Sequence, residues 1–189
     1  PEPRWMLSCG IKPDSWDAHQ SLAGPRIGLA LGLHPFMTEE YSAEVMDCLH
    51  SMLQEEGVRA VGEIGLDYHR DYRQTAKLQH RMFKEQLQLA EELELPVIIH
   101  CRKAYDRIIP MLRGHDLRAV IFHAYSGSPE QLKQILEFRS YISFGFQIDY
   151  DNNHKQREVL QHTPLERILF ETDAPFMKTR WGGPSFSSE

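Results

Sequence analysis

The sequence predicts an α/β fold of the (β/α)8, TIM-barrel-like type, incomplete, with about seven parallel strands visible. Short apolar runs rich in branched residues alternate with longer amphipathic stretches, which is the pattern of βα units. The apolar runs are continuous, as in parallel strands that are buried on both faces. The stretch from Glu63 to Asp173 covers four βα steps of roughly 28 residues, close to the roughly 31 residues per unit of a complete barrel.

The strands are predicted where a short apolar run ends in a polar residue or a turn containing glycine. Seven runs meet this description. In chain order they are Trp5 to Ser8, Ile27 to Leu33, Arg59 to Ile64, Pro96 to Ile99, Ala119 to Phe122, Tyr141 to Phe144 and Arg167 to Phe170.

The helices are predicted where apolar residues recur at helical spacing between those runs. One of them starts at Ser128, which would cap the helix while Gln131 closes a capping box. Gly57 is placed where a left-handed cap would follow the first predicted helix. The other predicted helices are Glu44 to Glu56, Gln74 to Leu95, Tyr105 to Arg113 and Asn152 to His162.

Length and composition point to one globular domain over residues 1–189. The chain is 41% hydrophobic, has no apolar run long enough to span a membrane, and has three widely spaced cysteines. We therefore expect a soluble, cytoplasmic protein without disulfides and without a membrane partner. The formal charge of −6 excludes a broad cationic surface for nucleic acid, so a phosphate substrate would have to be held locally.

Four of the predicted strands lead directly to a carboxylate or an imidazole. These residues are Glu63, His100, His123 and Asp173. In a barrel all four would lie at the C-terminal mouth, where barrel enzymes build their sites. Oxygen and nitrogen ligands together suit a divalent cation without selecting among Zn²⁺, Mn²⁺ and Mg²⁺.

Each of these four residues also has a structural explanation. Glu63 could pair with an arginine, the histidines could be core residues, and Asp173 could cap a helix. The coincidence of four such residues at matching strand ends favours a shared site.

The neighbouring residues strengthen this interpretation, because five blocks resemble the TatD-like metal-dependent deoxyribonucleases, a branch of the amidohydrolase-type barrels. The blocks occur in the order of that family and cover nearly the whole chain. They are Gly32-Leu33-His34-Pro35, Val61 to Tyr68, Pro96 to Arg102, Phe122 to Gly127 and Glu171 to Pro175.

The resemblance implies up to two divalent metal ions, with Zn, Mg and Mn as the candidates. It implies that Glu63 bridges them, that His100 and His123 complete the shell of one, and that Asp173 binds the other. Glu63 and Asp173 are the implied catalytic residues, with Asp173 also a candidate acceptor for the proton of the attacking water.

The resemblance also implies parts that the sequence does not contain. The family carries an H-x-H pair on its first strand, and the sequence has no H-x-H. We therefore expect that the first strand and the C-terminal helix are missing and that the domain is truncated at both ends. Open sheet edges near Trp5 and Phe170 would then permit self-association.

Four further residues are candidates for substrate binding. Arg102 and Arg70 follow strand ends and could hold a phosphate through their planar guanidinium groups. His34 lies at a strand mouth and is a candidate substrate contact. Asp67 could cap the segment after it and position Arg70 or a metal-bound water. The remaining histidines, including His80, are expected at the surface.

The leading prediction is a metal-dependent hydrolase that cleaves DNA phosphodiester bonds, as a 3′-5′ exonuclease on single strands. Two alternatives stay open. The same metal barrel could act on a small-molecule amide, ester or lactone, because many hydrolases share the fold and the ligand set. The chain could instead be a degenerate, non-catalytic copy, which the absence of H-x-H favours.

Overall fold

The computed structural model describes residues 4–172. Contacts divide the chain into two compact units, Pro1–Val120 and Ile121–Glu189. The prediction of a single domain over residues 1–189 stays a prediction, as do the cytoplasmic location and self-association. Asp173 lies outside the described residues. In the described part of the chain, no helix combines the length and the apolar character that crossing a membrane requires.

All seven predicted strands are present among the described residues. The strands that carry Glu63 and His100 extend three residues beyond their predicted ends, to Asp67 and Arg102. The strands are β1 (Met6–Gly10), β2 (Ile27–Leu31), β3 (Val58–Asp67), β4 (Val97–Arg102), β5 (Val120–Phe122), β6 (Ser140–Phe144) and β7 (Ile168–Phe170).

One helix escaped prediction because it is short and mostly polar. It begins at Pro13, and its one buried residue, Trp16, donates from Nε1 to the carbonyl oxygens of Gly10 (3.1 Å) and Gly32 (3.2 Å). The helices are α1 (Pro13–Gln20), α2 (Ala43–Met52), α3 (Ala76–Glu92), α4 (Tyr105–Arg113), α5 (Pro129–Ile135) and α6 (His154–His162).

In the first unit the strands β1 to β4 form a parallel sheet in chain order, each paired with the next. A doubly wound fold would reverse its strand order, so this succession is the winding of a barrel. The register pairs Gly65 with His100 and Asp67 with Arg102. The chemistry-bearing ends of β3 and β4 therefore lie side by side.

Two buried glutamines on α3 hold the ends of the strands that lead to the site. Gln86 accepts from the backbone N–H of Leu33 (2.7 Å) and donates to its carbonyl oxygen (3.0 Å). Gln79 makes the same pair of hydrogen bonds with the backbone of Asp67, at 2.8 and 3.2 Å. These side chains satisfy backbone groups that burial would otherwise leave unpaired.

We expect Gln86→Leu to destabilise the chain by about 2–3 kcal/mol, because it leaves a buried N–H and a buried C=O of Leu33 without these partners. Urea unfolding followed by circular dichroism measures the change. Gln88→Leu is the matched control: Gln88 is exposed on the same helix, and we expect a change within about 0.5 kcal/mol. Equal losses in the two variants would contradict the assigned role of Gln86.

In the second unit, β6 and β7 pair in parallel, with Ser143 opposite Leu169. Helix α5 begins with the predicted capping box. The Ser128 hydroxyl accepts from the Gln131 N–H (3.2 Å), and the Gln131 side chain accepts from the Ser128 N–H (2.8 Å). Just after β7, the Glu171 N–H donates to the Phe144 carbonyl oxygen (3.1 Å), so the chain stays beside β6 as it leaves the strand.

Candidate metal centre

The first unit brings together three possible metal ligands, Glu63, His100 and His34. Their ligand atoms all lie within 4.8 Å of one another. Nδ1 of His100 is 2.9 Å from Oε1 of Glu63, and Nε2 of His34 is 3.6 Å from the same oxygen. Glu63 and His34 are buried. Glu63 and His100, predicted as ligands from strand ends, thus meet in space, and His34 joins them.

His100 lies between two carboxylates. Its Nδ1 faces Glu63, and its Nε2 is 3.0 Å from Oδ2 of Asp67. Burial opposes the charged imidazolium, but the hydrogen bonds to Asp67 and Glu63 outweigh it and raise the pKa of His100. A ring with a carboxylate on each side lies where positive charge is stabilised.

Asp67 is fully buried and holds the far side of that ring. Its Oδ1 accepts from the His69 N–H (2.7 Å), as an aspartate that caps the following turn does. Burial favours the neutral acid, but the hydrogen bonds from His100 and His69 outweigh it, and with the charge of Arg102 they lower the pKa of Asp67. A carboxylate that is hydrogen-bonded to one ring nitrogen of a histidine orients the ring so that its other nitrogen can coordinate a metal.

His34 is oriented differently. Its Nδ1 accepts from the Phe36 N–H at 3.2 Å, so the neutral ring carries its proton on Nε2. Coordination through Nε2 would require that proton to leave or to move to Nδ1. The geometry therefore favours His34 as a hydrogen-bond donor beside Glu63 over a metal ligand, and the substrate contact predicted for it stays a prediction.

A second polar cluster lies in the second unit. Nδ1 of His123 is 2.8 Å from Oε2 of Glu171, and the same oxygen accepts from the Ala124 N–H (3.2 Å) and from the Ser143 hydroxyl. Burial favours the neutral form of Glu171, but the His123 contact outweighs it and lowers the pKa of the carboxyl. Its other oxygen, Oε1, is buried and has no hydrogen-bond partner among the described residues.

Glu171 was not singled out from the sequence, although its position was informative. It follows β7 directly, as Glu63 and His100 occupy the C-terminal parts of β3 and β4. The prediction passed over it for Asp173, two residues later, which lies outside the described residues. A carboxylate at a strand end beside a strand-end histidine is the signal that could have found it.

A model of the family described as TatD related DNase matches residues 4–185. The chain belongs to this family. The predicted resemblance is thereby confirmed.

Relatives of the TatD family agree with this placement. YabD of Bacillus subtilis, called an uncharacterized metal-dependent hydrolase, is 35% identical over 150 residues, or 78% of this chain and 58% of its own length. YjjV of Escherichia coli, with the same description, is 40% identical over 151 residues, with the same two coverages. A 3′-5′ ssDNA/RNA exonuclease TatD of Citrobacter koseri is 33% identical over 152 residues, 79% of this chain and 58% of its own length.

Solved structures of TatD relatives confirm the fold. The crystal structure of YjjV, a TatD homologue from Escherichia coli, matches with a TM-score of 0.87 at 33% identity, covering 96% of this chain and 72% of the other. This match confirms the α/β, TIM-barrel-like class. The chain spans 58% of the length of the first three curated relatives.

Aromatic rings of this TatD-family chain border the first cluster. Phe36 stacks on Tyr72 with ring centroids 3.9 Å apart, and its edge meets His34 at 4.3 Å and His100 at 5.6 Å. Such rings hold the imidazoles in place and reduce the access of water, which strengthens electrostatic interactions at the carboxylates.

The two arginines predicted to bind substrate, Arg102 and Arg70, have different surroundings. Arg102 ends β4 opposite Asp67, and its charge acts on that carboxyl. Arg70 contacts Asp71 at 3.5 Å, and its side chain is 87% exposed. The substrate-binding roles of both arginines stay predictions.

Proposed function

We propose that the chain acts in a metal-dependent hydrolase that cleaves phosphodiester bonds of nucleic acid, removing nucleotides from the 3′ end of single strands. The observation that carries this proposal is the arrangement Glu63–His100–Asp67, a buried carboxylate and a carboxylate-held imidazole 2.9 Å apart. Relatives named as metal-dependent hydrolases and as ssDNA/RNA exonucleases support it.

The residues present fit a divalent cation. A carboxylate offers hard oxygen and an imidazole offers borderline nitrogen, a combination that Zn²⁺, Mn²⁺ and Mg²⁺ sites share to different degrees. Nδ1 of His100 and Oε1 of Glu63 lie 2.9 Å apart, so a cation could be held by both atoms. When bound, such a cation polarises the phosphate and lowers the pKa of a water molecule.

Each residue of the first cluster then has a distinct task. Glu63 and His100 would hold the metal, and Asp67 would keep the proton of His100 on Nε2 and fix the ring. His34 would donate from Nε2 to Glu63 or to a phosphate oxygen. His123, oriented by Glu171, and Asp173 are proposed as the ligands that the second unit supplies, with Asp173 as the acceptor of the water proton.

Removal and return of metal tests the proposal. We expect the chain treated with EDTA to leave a 5′-labelled single-stranded DNA intact, and added Mg²⁺, Mn²⁺ or Zn²⁺ to restore stepwise shortening from the 3′ end. Mass spectrometry measures the bound metal in parallel. An RNA of the same sequence shows whether the chain prefers DNA or RNA.

Three results would overturn the proposal in different ways. A folded chain that binds no metal would favour a degenerate, non-catalytic copy. A chain that binds metal but hydrolyses only esters, amides or lactones would favour the small-molecule alternative. Cleavage that persists in EDTA would show that the metal has no part in the reaction.

A further inference from the structure

A groove outside the metal cluster runs between the end of β3, the start of α3 and the start of α4. We call it the α3–α4 groove. It has a volume of about 660 Å³, within the range of ligand pockets. Its lining residues are Tyr68, Arg73, Ala76, Lys77, His80 and Arg107.

The walls of the α3–α4 groove are cationic. Arg73, Lys77 and Arg107 are all exposed. Within residues 4–172, Arg73 and Lys77 have no carboxylate partner, and Arg107 is 3.4 Å from the exposed Asp106. The chain as a whole carries a formal charge of −6. Three cations around one concave surface are therefore a local exception, and unpaired cations in a groove attract an anion.

The floor of the groove is neutral and polar. The Tyr68 hydroxyl hydrogen-bonds to Nε2 of His80, and the two rings lie 6.1 Å apart. His80, predicted at the surface, is half-buried, and burial lowers its pKa, so the ring is uncharged at neutral pH. A neutral hydrogen-bonding floor beneath cationic walls suits an anion with several oxygens, such as a phosphate.

The groove is linked to the metal cluster through the end of one strand. Tyr68 follows Asp67 directly, and the carboxylate of Asp67 holds His100. Tyr68 lies one residue beyond the end of β3, and its N–H donates to the carbonyl oxygen of Arg102 at 2.8 Å, so the groove begins beside the ends of the two strands that carry Glu63 and His100.

We propose that the α3–α4 groove binds a backbone phosphate of the single-stranded nucleic acid whose 3′ end occupies the metal cluster. This inference rests on the proposed function, because it takes the polyanion to be the substrate. Arg73 and Arg107 supply planar guanidinium forks and Lys77 a compact charge, and all three bind phosphate without reading the bases. The groove would hold the strand while successive 3′ nucleotides are removed.

The test is binding without hydrolysis. Fluorescence anisotropy with a labelled 10-nucleotide single strand in EDTA compares the wild-type chain with Lys77→Glu. We expect the Kd of the variant to rise about tenfold and the slope of log K against log salt to fall by about 0.7, the loss of one phosphate contact on a single strand. For a dinucleotide, whose single bridging phosphate would occupy the metal cluster, we expect less than a twofold change.

Lys84→Glu is the matched control. Lys84 is exposed on α3, two helical turns beyond Lys77, and does not line the groove. Equal losses in the two variants would show a general effect of charge and overturn the proposal. A loss as large for the dinucleotide as for the 10-mer, or inorganic phosphate that displaces the 10-mer as well as an unlabelled strand does, would overturn the assignment to a strand phosphate.

Failure of the proposed function gives a different result. If the chain binds the 10-mer through Lys77 in EDTA but fails to hydrolyse it when Mg²⁺, Mn²⁺ or Zn²⁺ is added, the groove assignment stands and the nuclease proposal fails. If Lys77→Glu hydrolyses the 10-mer with the same KM as the wild-type chain, the nuclease proposal stands and the groove assignment fails.

Discussion

Replacement of His100 by alanine is expected to lower metal-dependent hydrolysis and metal affinity by about 100-fold or more. Loss of a residue that merely orients a metal ligand typically costs about 10- to 100-fold, and loss of a ligand costs at least as much. The variant removes the imidazole that Glu63 and Asp67 contact at 2.9 and 3.0 Å. Calorimetric metal titration and the single-strand assay measure the two losses.

His115→Ala is the control for this prediction. His115 also pairs with a carboxylate, Oε2 of Glu91 at 2.7 Å, but it lies outside the cluster. We expect wild-type metal affinity in this variant, and melting temperatures within a few degrees of wild type in both variants. Wild-type activity in His100→Ala would refute its role as a ligand, and His100→Asn, which retains a hydrogen-bond donor, separates a folding defect from loss of the ligand.

Gly65→Ala is expected to produce the largest loss of stability, about 3 kcal/mol or more. Gly65 adopts a φ of +146°, which other residues rarely adopt and which costs about 1–3 kcal/mol in them. An added Cβ would also lie 2.0 Å from the carbonyl oxygen of His100, so β3 and β4 would have to separate. Separation would move His100 away from Glu63 and weaken the metal site as well. Urea unfolding and metal titration measure the two effects.

Gly24→Ala is the matched control, because the atom nearest to an added Cβ there is 4.0 Å away. We expect its stability to change by no more than about 0.5 kcal/mol. If Gly65→Ala were as stable as Gly24→Ala, the close approach of β3 and β4 at Gly65 would not be a structural requirement.

Much of the fold could be predicted because βα units have strong local signals. Continuous apolar runs predicted all seven strands, and the spacing of apolar residues predicted five of the six helices among the described residues. Helix α1 lacked that signal, because Trp16 alone buries a side chain there. The longer β3 and β4 reflect pairing with neighbouring strands, which stabilises polar residues in extended conformation independently of their own preference.

Of the candidate site, the sequence predicted two of the possible metal ligands, but not how their side chains are oriented. Glu63 and His100 could be found because the ends of parallel strands meet at one edge, whatever the details of packing. The orientation of each imidazole depends on partners distant in sequence or on a local turn: Asp67 for His100 and the Phe36 N–H for His34. The side chain of Glu171 is positioned by contacts with His123 and Ser143, which are distant from it in sequence.

The sequence by itself determined the class of fold and the meeting of Glu63 with His100, because these follow from strand periodicity and from position along each strand, and its five motif blocks carried the resemblance to the family. Tertiary structure decided which group each nitrogen of His100 faces and which face of α3 joins Arg107 in a cationic groove. The physical reason is that hydrogen bonds and surface charge depend on side chains that only folding brings within a few ångströms of one another.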